Sequence, residues 1–284
     1  MSTPVVLSLF SGVGLLDMGF KAAGHCIVRG PDLLWGDDIR SFDARPLAGK
    51  IDGIIGGVPC QAFSTAVKKE NRKKHLNLWP DFWRIVHEVG PAWVLAENVY
   101  GAEDAATDMF SLPKQYVISH KRVIFSNIGS AQARRRLIMT AWARERDCSS
   151  TFWNALKENG LRWGQEWRCK IGRAVVPYPT YGVITGNAYC QIGTRKSLQK
   201  LQAKYRTVTG DSLMNGRGDD EPSAYLTPDK LLDAFDLPTS WKLPAHGNFS
   251  RSTQARLITQ GVPVAAAYAL GMAIKAVKGA IHED

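Results

Sequence analysis

A chain of 284 residues can bury a large core, and the length suits one α/β domain with a small appended one. Its 36 Lys and Arg against 26 Asp and Glu leave a formal charge of +10, which favours a polyanionic partner, nucleic acid first, although many basic proteins bind nothing in particular. No long apolar span is expected, so a membrane is disfavoured as partner.

Five cysteines, Cys26, Cys60, Cys148, Cys169 and Cys190, form no CxxC pair. That argues against a disulfide framework or a metal site and suits a reducing cytosol. Met1-Ser2-Thr3-Pro4 does not lead from a basic stretch into an apolar one, so no signal peptide and a cytoplasmic location are expected.

Residues 5–10 read as a first strand, and Ser11-Gly12-Val13-Gly14 as a turn into a helix bearing Leu15, Leu16, Met18, Gly19 and Phe20. Strand, glycine turn and helix amino terminus make a nucleotide or nucleoside cradle, since glycine lets a ligand approach the backbone. Residues 26–28 read as a second strand running into Arg29-Gly30-Pro31-Asp32. Residues 51–55, β-branched, read as a buried strand whose Gly56-Gly57 turn presents Cys60 behind Pro59, with Gln61, Phe63 and Ser64 around it. A lone cysteine is ordinarily a buried structural thiol. At the carboxyl end of a parallel strand, where chemistry gathers in such sheets, a second reading opens.

Residues 66–75, with Lys68, Lys69, Arg72 and Lys73, form a cationic run: a solvated loop, or one that pairs with phosphates and closes over the thiol. Helical spacing follows from Leu78 to Val86. Residues 91–96 then read as a buried strand ending in Glu97-Asn98-Val99. An acid at the end of an apolar strand needs a partner, because an unpaired buried charge costs several kcal/mol. Residues 116–118 and 123–125 look like paired strands leading to Gln132-Ala133-Arg134-Arg135-Arg136 and an apolar strand. From 142 to 222 the pattern is poorly legible, with Trp153, Trp163 and Trp167 among Gly and Pro breaks and cations that include Arg195 and Lys196. Residues 226–232 read as a capped helix with Pro228 in its first turn, and residues 265–277 as an apolar helix.

Gly56-Gly57-Val58-Pro59-Cys60-Gln61-Ala62-Phe63-Ser64 closely resembles the nucleophile motif of the cytosine-C5 DNA methyltransferases of bacteria and their phages. Leu9-Phe10-Ser11-Gly12-Val13-Gly14, Glu97-Asn98-Val99 and Gln132-x-Arg134-x-Arg136 resemble further motifs of that family, in its order and over almost the whole chain. The resemblance implies a Rossmann-like α/β sheet of the S-adenosylmethionine-dependent type over residues 1–142, completed by 223–284. Between them, at 143–222, it implies a small, mostly irregular target-recognition domain.

It also implies Cys60 as nucleophile with Gln61 beside it, Glu97 on N3 and the amino group of a flipped cytosine, Arg134 in the framework and Arg136 on O2. Around S-adenosylmethionine it places Phe10, Ser11, Gly12, Gly14, Asp38, Ile39, Pro59, Leu78, Gln260 and Val262. Asp37 rivals Asp38, and Asp32 is either a displaced ribose ligand or the start of a turn. Ser64, Lys68, Lys69, Arg72, Lys73, Arg195 and Lys196 would face double-stranded DNA, bound by a monomer without a metal.

Three features depart from the pattern: Ser8 stands where the family has Asp, no acid ends the second strand, and Thr259-Gln260 replaces Gly-Asn. Arg29 and Thr259-Gln260 leave open a close analogue as donor, for example a carboxylated one, which a cation near the transferred group would favour. RNA as acceptor and an inactive DNA-binding homologue stay open as well.

Overall fold

The computed structural model describes residues 3–64, 69–108, 114–175, 189–190, 224–225, 228–243 and 251–281. In chain order the elements are β1 (Val5–Leu9), α1 (Leu15–Ala22), β2 (Cys26–Arg29), β3 (Gly53–Gly57), α2 (Lys69–Arg72), α3 (Trp79–Val89), β4 (Trp93–Asn98) and α4 (Glu103–Ala106). There follow β5 (Tyr116–Ile124), β6 (Arg135–Ala143), α5 (Ser149–Lys170), β7 (Tyr189–Cys190), β8 (Ala224–Tyr225), α6 (Pro228–Ala234), α7 (Arg251–Gln260) and α8 (Val264–Ile281).

Six strands form one sheet in the order β2-β1-β3-β4-β6-β5. The first four are parallel, and β6 runs antiparallel to both of its neighbours. From β1 the chain steps to β2 on one side and then returns to β3 on the other. That reversal opens a crevice above the carboxyl ends of β1 and β3, the position where ligands bind in open α/β sheets.

Alternation along the strands sends Val6, Ile55 and Leu95 to one face and Leu7, Ile54 and Val94 to the other. The first face packs against Phe20 of α1, Phe152 and Leu156 of α5 and Leu270 of α8. On the second face sits α3, with Trp79, Phe82, Trp83, Ile85, Val86 and Val89 buried at helical spacing. Pro80 stands in the first turn of α3, and Gly90, at φ 62°, ends it. Small residues bring α1 and α8 close: a Cβ added to Gly19 would lie 2.4 Å from that of Ala267.

Two sequence expectations need correction. The paired strands expected at 116–125 are one continuous strand, which pairs with β6 over its whole length. Ser119-His120-Lys121-Arg122 contains no Gly, Pro or Asn to turn the chain back. Residues expected to hold no long apolar span do hold one, since Thr253–Val277 is long and apolar enough to cross a membrane, but 72% of that window is buried inside the protein. It is a core helix region, packed on α1 and α5. The illegible stretch begins with the 22-residue α5, whose buried Trp153, Trp163 and Trp167 face the main body. The expected boundary at 142/143 falls at the end of β6, and α5 beyond it packs on α8.

Candidate active site

The thiol loop starts where β3 ends. Val58 is buried, and its carbonyl accepts a hydrogen bond from Asn98 Nδ2 at 3.0 Å. Asn98 Oδ1 in turn accepts from the Val99 amide at 2.8 Å, so one buried amide ties the end of β4 to the loop beside it. The Cys60 carbonyl accepts from the amides of Phe63 and Ser64 at 2.9 and 2.8 Å. Cys60 therefore opens a closed turn at the crevice.

Glu97 is the register partner of Gly57 and is buried. A Cβ on Gly57 would lie 3.9 Å from Glu97 Oε2, which places the carboxylate beside the backbone leading to the thiol. Arg136 Nε, from β6, lies 2.7 Å from Glu97 Oε1, an ion pair lacking hydrogen-bond alignment. Burial pushes the Cys60 thiol above its usual range and Glu97 adds to the rise, while Arg136 and Arg134 oppose it. Thiol, carboxylate and two guanidinium groups thus form one electrostatic cluster.

Arg134 is buried beneath that cluster. Its Nη1 donates to the Thr259 carbonyl at 3.0 Å, and its guanidinium lies 5.8 Å from the centre of the Phe235 ring. Burial, then repulsion from Arg136, lowers its pKa to about 9, so it stays protonated at neutral pH. The segment ahead of it is clamped: the Ala131 amide donates to Asp236 Oδ1 at 3.2 Å and Gln132 Nε2 to the Ala234 carbonyl at 2.6 Å. Asp236 is itself buried and paired with Arg168 of α5 at 2.5 Å.

The second part of the site is the turn after β1. Phe10 sits at φ 54°, a left-handed conformation costing about 1–3 kcal/mol for a non-glycine residue, as found at ligand clamps. Gly12 and Gly14 are also left-handed, at φ 52° and 83°. The Gly12 amide donates to Asp32 Oδ2 at 2.7 Å, and the Leu34 amide to Asp32 Oδ1 at 2.7 Å. One oxygen of Asp32 thus braces the turn and the other caps the short helical turn Leu33–Trp35 that follows it, while Trp35 Nε1 donates to the Gly12 carbonyl at 2.9 Å. Among the described residues, nothing fills the space beside Gly12 and the buried Ser11 Oγ has no partner.

Other expected residues fall nearby or apart. Ile39 is buried, and its carbonyl accepts from Arg84 of α3 at 2.6 Å. Asp38 is paired with Arg40, whose hydrogen bonds hold its carboxyl at about 2. Pro59 and Leu78 are half-buried, Val262 is buried, and Gln260 and Gln61 are exposed. Ser64 and Arg72 are half-buried and Lys73 is exposed, all on the chain following Cys60. Lys69 begins α2. Lys68, Arg195 and Lys196 lie outside the described residues.

Sequence reading missed a buried relay beside the glycine turn. Ser8 Oγ donates to Asp17 Oδ1 at 2.5 Å, and Arg29 Nε to Asp17 Oδ2 at 2.9 Å. Burial raises the pKa of Asp17, against the hydrogen bond from Ser8 and the charge of Arg29. The available signal was an acid inside the apolar run Leu15-Leu16-Asp17-Met18. Among the described residues no group of three or more His, Cys, Asp or Glu is placed to hold a metal.

A glycine turn and a thiol at adjacent strand ends of a sheet with this order define a Rossmann-like α/β fold with its ligand crevice at the point where the strand order reverses. Solved structures follow the same course. Entamoeba histolytica methyltransferase EhMeth aligns over 99% of both chains with a TM-score of 0.60 at 12% identity. A mutant of Spodoptera frugiperda DNMT2 aligns over 97% of this chain and all of its own, with a TM-score of 0.58 at 17% identity. Such identities speak for the fold alone.

Sequence narrows the class. The family model of the C-5 cytosine-specific DNA methylases matches residues 35–161. The type II methyltransferase M.HgiGI of Herpetosiphon aurantiacus is 35% identical over 112 residues, 33% of this chain and 88% of that protein. M.DdeI of Desulfomicrobium norvegicum is 30% identical over 143 residues, 44% of this chain and 34% of that protein. The chain belongs to the C-5 cytosine-specific DNA methylase family. Its matches span 34%, 36% and 48% of the lengths of M.DdeI, M.HgiDI and M.FnuDI, so between a third and a half of those relatives.

Proposed function

We propose that the protein transfers a methyl group from S-adenosylmethionine to C5 of cytosine in double-stranded DNA. The observation that carries this reading is the cluster of Cys60, Glu97 and Arg136 at three neighbouring strand ends, beside the glycine turn. The turn suits a nucleoside-bearing ligand: open space at Gly12, an unpartnered Ser11 hydroxyl and a strained Phe10 are features a ligand would use. Phe10, Ser11, Gly12, Gly14, Ile39, Pro59, Leu78 and Val262 would hold it, with Asp32 bracing the turn and Asp38 and Gln260 at its rim. When bound, S-adenosylmethionine supplies an electrophilic methyl group on a sulfonium.

Inside a duplex the reacting ring atoms are stacked and covered, so the cytosine rotates out to reach the crevice. Its entry exchanges the Arg136–Glu97 contact for contacts with the base: the Glu97 carboxyl to N3 and the amino group, Arg136 to O2. The Cys60 thiolate attacks C6, and the ring electrons move toward C5, which thereby becomes a nucleophile. Arg136 stabilises the charge that builds on O2, where a preformed cation costs no reorganisation. C5 would take the methyl group as its bond to the sulfonium sulfur breaks, the donor leaving as a neutral thioether. A base then removes the C5 proton, the C6–S bond breaks and Cys60 is released as thiolate.

Lys69, Arg72 and Lys73, on the segment after Cys60, are assigned to DNA phosphates, together with Lys68, Arg195 and Lys196. Residues 143–222 are assigned to target recognition. The test is nucleoside mass spectrometry of DNA from cells expressing the protein or its Cys60→Ala variant. A 5-methylcytosine signal that disappears in the variant supports the reading. DNA unmodified in both overturns it.

A further inference from the structure

The end of β2 carries a cation where the crevice begins. Arg29 lies beside Ser8 in the β1–β2 register, and its Nη2 would be 2.1 Å from a Cβ on Gly14. The guanidinium therefore rests on the backbone at the amino end of α1, in the space a side chain at residue 14 would enter. Asp17 Oδ2 engages Nε, while Ser8 holds the other oxygen of Asp17. That contact uses one edge of the guanidinium. Among the described residues no partner takes Nη1 or Nη2, and the side chain is 44% exposed.

The helix end and the guanidinium meet at this point. Gly14 is the N-cap of α1 and offers no side-chain cap, so the helix end adds its own partial positive charge to that of Arg29. Asp32, the other nearby acid, has each oxygen already taken by a backbone amide. A guanidinium fork beside an uncapped helix end matches an oxyanion, and a planar carboxylate best of all.

We infer that Arg29 receives a carboxylate of the donor bound in the glycine turn. The inference rests on the transferase reading of that turn. Two sources supply the same chemistry: the carboxylate of the amino-acid part of S-adenosylmethionine, or one carried on the transferred group of an analogue. Arg29, held in place by Asp17 and Ser8, is then the residue that selects the donor.

The experiment is a calorimetric titration of the whole chain with three ligands: S-adenosylmethionine, its decarboxylated form, and its analogue with a carboxylate on the transferred methyl. Wild type is compared with Arg29→Gln and with Asp17→Asn/Arg29→Gln, in which no buried carboxylate loses its partner. Wild type is expected to favour the donor bearing the recognised carboxylate about tenfold, and both variants to lose that preference. Loss of discrimination between S-adenosylmethionine and its decarboxylated form assigns the amino-acid carboxylate. Loss of a preference for the carboxylated analogue assigns the transferred group. Variants that bind all three ligands as wild type does overturn the inference and leave the transferase reading standing. Wild type that binds none of the three overturns both.

Discussion

A thiol enclosed by protein and faced by a carboxylate keeps its proton to higher pH than a cysteine in water. For Cys60 both influences act in that direction, against Arg136 and Arg134. Because only the thiolate reacts, alkylation of Cys60 by iodoacetamide is expected to rise with pH through a midpoint above the ordinary thiol range. Glu97→Gln removes a cause of the rise and moves the midpoint down; Arg136→Ala removes an opposing cause and moves it up. Rates read by mass spectrometry of the Cys60 peptide check both signs, and identical midpoints in all three proteins contradict the cluster. The members of this cluster were legible in the sequence because each lies in a short local string. Asn98 was named there without a role, since its bond to the Val58 carbonyl joins positions that only the sheet makes neighbours. The same holds for Ser8, Asp17 and Arg29, whose relay no periodicity announces.

Among the elements, those with strong periodicity and glycine punctuation were readable: β1, α1, β3, α3 and β4 lie within a few residues of expectation. The continuous β5 was not, because a strand's partner and length depend on what lies beside it, here β6. In α5 the apolar positions Phe152, Leu156, Gly160, Trp163 and Trp167 do recur at helical spacing. Small residues disguised that stripe as broken chain. Gly164 explains why one of them is there: a Cβ would stand 2.1 Å from the Ile128 carbonyl oxygen, a backbone atom with little freedom to yield. Gly164→Ala is accordingly expected to destabilise by about 1–3 kcal/mol despite alanine's better helix propensity. Thermal unfolding checks it against Asn154→Ala on the exposed face of α5, which is expected to leave the midpoint unchanged or slightly higher.

For the molecule as a whole, the formal charge of +10 was the first sign of a polyanionic partner. Charge alone gives no sequence preference, because contacts to phosphates position a protein without reading bases. It does set the salt dependence. A plot of log binding constant against log salt is expected to be linear and steep, and to become shallower by about 0.9 for each phosphate contact removed. Lys73→Gln and Lys74→Gln, both at exposed positions after α2, test this by fluorescence anisotropy with duplex DNA at several NaCl concentrations. An unchanged slope removes this segment from the DNA interface.

The close seat of α8 on α1 also has a consequence for how the protein is made. On the ribosome α1 emerges long before the helix that covers it, and at roughly 5–20 residues per second the wait is on the order of tens of seconds. Until then Phe20 and its neighbours lack the partner that buries them. The glycine turn, framed by the first turn of α1, takes its working shape only when a distant part of the message has been translated. A nascent chain arrested before residue 251 would bear Cys60 and Glu97 yet lack the helix that seats the glycine turn.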